Sequence, residues 1–168
     1  EDGMLRLPKF DGTTSWAVFM MHLNNFATCY SWTDEDKRFQ LMQALRGEAA
    51  GVLQVLGGRA TLSQLTDYLG ERYAGVAHQT QAREELKAYR QKADESLREL
   101  LTTLEKLSCE GYPDMPDEKR DLYLSLPAFV DALYDEELRF HVMLQGPKTA
   151  SEALRKALTI DAVLKSTR

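Results

Sequence analysis

The chain has 168 residues, 43% of them apolar and 28% charged, a balance that excludes a disordered polar chain. Leu occurs 25 times and Ala 17 times, against 8 Val and Ile together, which excludes a β-sandwich and points to a largely helical protein. With 21 basic and 26 acidic residues the net charge is −5, so few phosphates can be neutralised, and two cysteines make no disulfide framework.

Residues 5–12 read as an extended lead-in, because Pro8 disfavours helix before it and Asp11-Gly12 is a turn pair. Thr13 to Tyr30 reads as an amphipathic helix with Trp16, Phe19, Met20, Leu23 and Phe26 on one face. Thr33 opens a second helix, acidic at its first turn, with Phe39, Met42 and Leu45 expected inside and Gly47 at its end. Glu48 to Leu56 reads as a short apolar helix stopped by Gly57-Gly58. Thr61 and Gln64 spell a capping box for a fourth helix, with Leu62, Leu65 and Leu69 as its core face.

Residues 74–79 are small and weakly patterned, and we place a lobe boundary there, giving lobes 1–77 and 78–168 with net charges of −2 and −3. Gln79 to Tyr89 then reads as helix. Asp94 is the expected cap of the next, whose face is Leu97, Leu100, Leu101, Leu104 and Leu107. Asp117 is the expected cap of a helix carrying Leu122, Tyr123 and Leu126, broken or kinked at Pro127. A further helix spans about Phe129 to Leu144 with an interruption near Asp135. Thr149 and Glu152 open the last one, with Leu154, Ala157, Leu158 and Leu164 inward.

Little in this chain speaks for catalysis. Cys29, Cys109, His22, His78 and His141 are scattered without zinc-ligand spacing, and Gly57-Gly58-Arg59 lacks the Lys-Ser/Thr of a phosphate loop. We expect no enzyme, no metal and no cofactor. No apolar run reaches the roughly 20 residues a membrane-spanning helix needs, so no membrane insertion is expected. Two cysteines and no glycosylation sequon fit a cytoplasmic setting, and a start at Glu1 suggests a segment of something longer. Two features stay open. The stripe Trp16, Phe19, Phe26 suits a core, or a groove left where a small lobe cannot cover its rings. Gln91 and Glu95 suit a local helix cap, or a buried polar network fixing how the second lobe's helices meet.

The order of LPKFDGTTSW, WTDEDKRFQLMQALRGEAAGVL, TLSQLTDYLGERYA, LKAYRQKADESLRELLTTLEKL, YLSLPAFVDAL and TASEALRKALTIDA resembles the capsid region of Gag from Ty3/gypsy-type LTR retrotransposons. Domesticated descendants of that Gag, such as Arc and the paraneoplastic Ma antigens, are similar in plan. The resemblance covers nearly the whole chain. It implies an all-α protein of two small helical lobes of retroviral capsid type, self-assembling into a virus-like shell. It also implies a C-terminal-lobe dimer, cytoplasmic particles or vesicle release, and RNA held only through flanking segments. Gln91 and Glu95 match the polar pair of the retroviral major homology region, and Leu97, Leu100, Leu101 and Leu104 match its apolar positions. Lys92 and Thr103 stand where retroviral sequences usually have Gly and Arg. The alternative it implies is a domesticated adaptor binding partner peptides in an N-terminal-lobe groove at Phe10, Trp16 and Phe19.

Overall fold

The computed structural model describes residues 6–168, so the first residue of the expected lead-in, Leu5, lies outside the described residues. Among the described residues the regular structure is helical, with one isolated parallel bridge, Phe10 to Leu45, and no β-strand. It divides into two compact units, Glu1–His78 and Gln79–Arg168, each around its own apolar core.

In the first unit the lead-in is pinned by its backbone. The Phe10 N–H donates to the Ala44 carbonyl and the Arg46 N–H donates to the Phe10 carbonyl, both at 2.9 Å. Asp11 Oδ1 accepts from the Thr13 N–H at 2.9 Å and the Thr13 hydroxyl at 2.6 Å, an Asx turn that leads the chain towards its first helix. Gly12 sits in that turn at φ +95°, and a Cβ there would lie 2.7 Å from the Tyr73 ring, so both backbone and space require glycine.

Helix α1 (Trp16–Cys29) is capped by Ser15 and buries Trp16, Phe19, Leu23 and Ala27. Helix α2 (Asp34–Ala44) starts at a Thr33–Asp36 capping box and buries Leu41 and Ala44. Phe39, expected inside, is 58% exposed. At about 100° per residue it stands roughly 200° from Leu41, on the opposite face. Met42 is half-buried, and Leu45 is buried just past the helix end. The next helical stretch is a 3-10 turn, Gly47–Ala50, running into α3 (Gly51–Leu56), which Gly57 ends at φ +79°. Helix α4 (Leu62–Ala74) carries the Thr61–Gln64 box and buries Leu65 and Leu69, with Leu62 half-buried.

Only Gly75 separates α4 from α5 (Val76–Ala88), so the small-residue stretch is mostly helix rather than open linker, and the division between the units falls inside α5. In the second unit, α5 contributes Ala82 and Leu86 to the core. Helix α6 (Leu97–Gly111) has the most regular apolar face, burying Leu97, Leu100, Leu101, Leu104 and Leu107. Each fully buried leucine contributes about 1.5–3 kcal/mol. Its cap is Ser96, boxed with Glu99, not Asp94, which lies in the preceding turn. Asp117 likewise stands inside α7 (Asp117–Arg120) rather than capping it, and holds Arg120 at 2.6 Å.

A π-helical turn, Asp121–Ser125, joins α7 to α8 (Leu126–Ala132). There the Leu126 N–H reaches back to the Asp121 carbonyl. That wider turn carries the chain into Pro127, whose ring has no N–H to donate and crowds a regular α ladder. The proline therefore sits within the helical path instead of ending it. Leu133–Asp135 interrupt the helix where expected, and Asp135 caps α9 (Glu136–Leu144) by accepting from the Glu137 and Leu138 N–H groups. Thr149 caps α10 (Ala150–Thr167), while the Glu152 carboxylate accepts from the Lys148 N–H at 3.1 Å instead of closing the box. The inward face of α10 is Ala150, Ala153 and Ala157, all fully buried, with Leu154, Leu158 and Leu164 at its margins.

Candidate functional site

Gln91 and Glu95 lie in the turn between α5 and α6, both half-buried. The Gln91 N–H donates to the Ala132 carbonyl at 2.9 Å. Its side-chain Oε1 accepts from the Tyr134 N–H at 3.1 Å, and its Nε2 donates to the Glu95 carbonyl at 3.0 Å. Glu95 Oε1 accepts from the Lys92 N–H at 3.1 Å, and Oε2 accepts from the Tyr89 hydroxyl at 2.6 Å. The turn is thereby closed on itself and tied to the turn between α8 and α9. This is a staple between two turns and not a helix cap, a duty that Ser96 and Glu99 perform.

The hydrogen bond to Glu95 is the main reason the Tyr89 phenol holds its proton above its ordinary pKa of 10.0, with burial second. Directly after the staple, Leu97, Leu100, Leu101 and Leu104 enter the core, so the polar tie sits at the edge of the apolar centre. Tyr89, Ala132 and Tyr134 complete the staple and carry no sequence signal. Tyr89 contributes a hydroxyl from the far side of the turn, and the other two contribute only backbone.

A groove of about 890 Å³ opens beside the staple, lined by Gln91, Glu95, Leu97, Tyr134, Asp135 and Arg168 among others. Its charges are largely paired internally. Arg168 meets Asp135 and Glu137 at 2.9 Å each, and Lys165 meets Asp161 at 3.0 Å. Arg168 is the first cause that holds Asp135 below the usual carboxylate range.

Phe10, Trp16 and Phe19 come together, but as the interior of the first unit. Phe10 is fully buried and packs edge-on to Trp16 and Tyr73, each at 5.2 Å, and tilted against Phe19 at 5.3 Å. Trp16 and Phe19 stack at 5.6 Å. All three rings are buried, Phe10 completely, and so belong to the core of the unit. Phe26, at the far end of the stripe, stacks instead with Trp32 at 5.9 Å, half-exposed.

Among the described residues, no three His, Cys, Asp or Glu side chains gather so as to hold a metal ion, and Cys29 and Cys109 are exposed and unbridged. Burial, and then the charge of Asp121, raise the Glu105 carboxyl above its ordinary range. The Asp121 carboxylate in turn accepts from the Ala150 N–H at 3.0 Å, at the start of α10. Among the described residues no helix is long and apolar enough to cross a membrane. No family model matches the chain, and no curated protein matches it.

Proposed function

We propose that this chain is a structural capsid protein similar to Ty3/gypsy-type Gag. In this reading its two units are the two capsid lobes, and copies of it assemble into a shell. It carries out no catalysis, and RNA is held by a segment outside this chain. The observation that carries the reading is the Gln91–Glu95 staple. The resemblance assigns a polar pair to these two positions, and in the structure both side chains bind, at the head of the helix that bears the matching leucines.

Two further features support it. The second unit leaves large apolar side chains outside, on the π turn at Leu122 and Tyr123 and on α9 at Phe140, Met143 and Leu144. Such side chains suit the small, repeated contacts of a reversible shell, including a second-unit dimer. The peptide-adaptor alternative draws no support from Phe10, Trp16 and Phe19, since all three are buried. Negative-stain microscopy of the concentrated chain tests the proposal. Closed particles of uniform size are expected, and a protein that stays monomeric at every concentration would contradict it.

A further inference from the structure

Three arginines of the described chain are half-buried: Arg38, Arg120 and Arg139. Two of them are bonded within the protein. Arg38 donates to the Ala60 and Gly58 carbonyls and to Glu35. Arg120 donates to the Tyr112 and Met115 carbonyls, both at 3.1 Å, and to Asp117. The Arg139 side chain, on α9, has no hydrogen bond or ion pair among the described residues, and its Nε is buried without an acceptor. A guanidinium stays charged in any protein environment, and the outer nitrogens of Arg139, which are not sealed off like Nε, have no acceptor among the described residues, so they are the donors open to a ligand.

Arg139 lines a pocket of about 320 Å³ together with Arg90, Gln91, Asp131, Ala132 and Tyr134. Arg90 is the second cation. It is exposed, and only its Nη1 is engaged, on the Tyr89 carbonyl at 2.8 Å and the Lys87 carbonyl at 3.4 Å. Gln91 and the Ala132 carbonyl, also in the wall, are already bonded: the Gln91 amide is used at both ends, and the Ala132 carbonyl accepts from the Gln91 N–H. Asp131 pairs with neither arginine. Two guanidinium groups against one carboxylate leave the pocket one positive charge. Liquid water takes about 30 Å³ per molecule, so the pocket has room for a ligand well above one water.

We propose that this pocket is an oxyanion site for a phosphoryl group, held by the free donors of Arg139 and Arg90. Guanidinium forks match the oxygen spacing of phosphate, and such charge-assisted bonds are the strong class of hydrogen bond. The site is independent of any assembly by the chain, because all of its walls come from one copy.

The test is phosphate binding to the dilute full chain, read by ³¹P NMR line broadening and by the thermal midpoint at constant ionic strength set with sodium chloride. Inorganic phosphate is expected to bind and to raise the midpoint relative to chloride. Arg139→Gln is expected to weaken binding by at least about tenfold, the order of one charge-assisted hydrogen bond. Arg139→Lys, which keeps the charge and loses the fork, should fall between. Arg98→Gln, on the exposed face of α6, should bind like the parent. If Arg139→Gln does not fold, the exposed Arg90→Gln carries the same expectation. Pyrophosphate in a parallel arm separates the sources: tighter binding marks a linked diphosphate, and equal binding a single phosphoryl group, both within the proposal. Phosphate acting no differently from chloride, acetate binding as well as phosphate, or a folded Arg139→Gln that binds unchanged would each overturn it.

Discussion

Glu95 accepts from a phenol and a backbone N–H, so truncating it strands two donors at the edge of the second core. Glu95→Ala is expected to lower the stability of the second unit by about 1–3 kcal/mol, the usual cost of unpaired buried partners. The expected readout is a lower urea midpoint with an unchanged slope, and an unchanged midpoint would make Glu95 a solvated surface charge. Tyr89 adds a pH signature. Its folded pKa is raised above 10.0, so below pH 10.0 the phenol is protonated in both states and its contribution is complete. As pH rises through the raised folded value, the unfolded chain has already lost its proton, and the contribution disappears. Urea midpoints from about pH 9 to about pH 11 should therefore fall more steeply for the parent than for Tyr89→Phe; parallel profiles would remove Tyr89 from the staple. Gln91 and Glu95 are visible in the sequence as a polar pair ahead of an apolar helix. Their partners are not, because Tyr134 lies 43 residues from Gln91 and offers only its backbone.

At the scale of elements, the helix starts are more legible than the helix faces. Thr33 and Thr61 announce their boxes through the acceptor three residues on. Ser96 and Glu99 spell the same box, but Asp94 competes for attention two residues earlier and has no box partner. Phe39 misleads because a large ring on a short helix outweighs the phase set by Leu41 and Ala44. The π turn before Pro127 is beyond a local pattern, since a proline signals a break and not the wider turn that avoids one. In α10 the leucines suggest the buried face, yet the centre of contact is the alanines, which allow the helix to lie close to its neighbours. Ala153 is fully buried. Ala153→Leu should therefore overpack this contact and cost about 1–3 kcal/mol. Ala162→Leu, on the exposed side of the same helix, should leave the thermal midpoint near that of the parent. Equal midpoints for both variants would mean that α10 packs loosely.

At the scale of the whole molecule, Leu and Ala content makes the helical class legible, and two well-capped runs suggest two lobes. The stretch 74–79 looks like a linker because it lacks an apolar face, although alanine within it favours helix, and α5 starts at Val76. A net charge of −5 bears on function twice. First, the chain alone is expected to bind RNA with no better than about micromolar affinity at physiological salt, since few counterions are released; submicromolar binding in an electrophoretic or anisotropy assay would reveal a basic face. Second, a shell concentrates like charge, and the apolar contacts proposed to hold it act only once that repulsion is screened. The screening length falls from about 8 Å at 0.15 M to about 3 Å at 1 M ionic strength. The most direct measurement is light scattering of the purified chain titrated with sodium chloride, with negative stain at each plateau. Scattering that rises with salt and resolves into discrete particles is the predicted result. Particles that form at low salt and dissolve as salt rises, or a monodisperse monomer across the whole titration, would contradict the account.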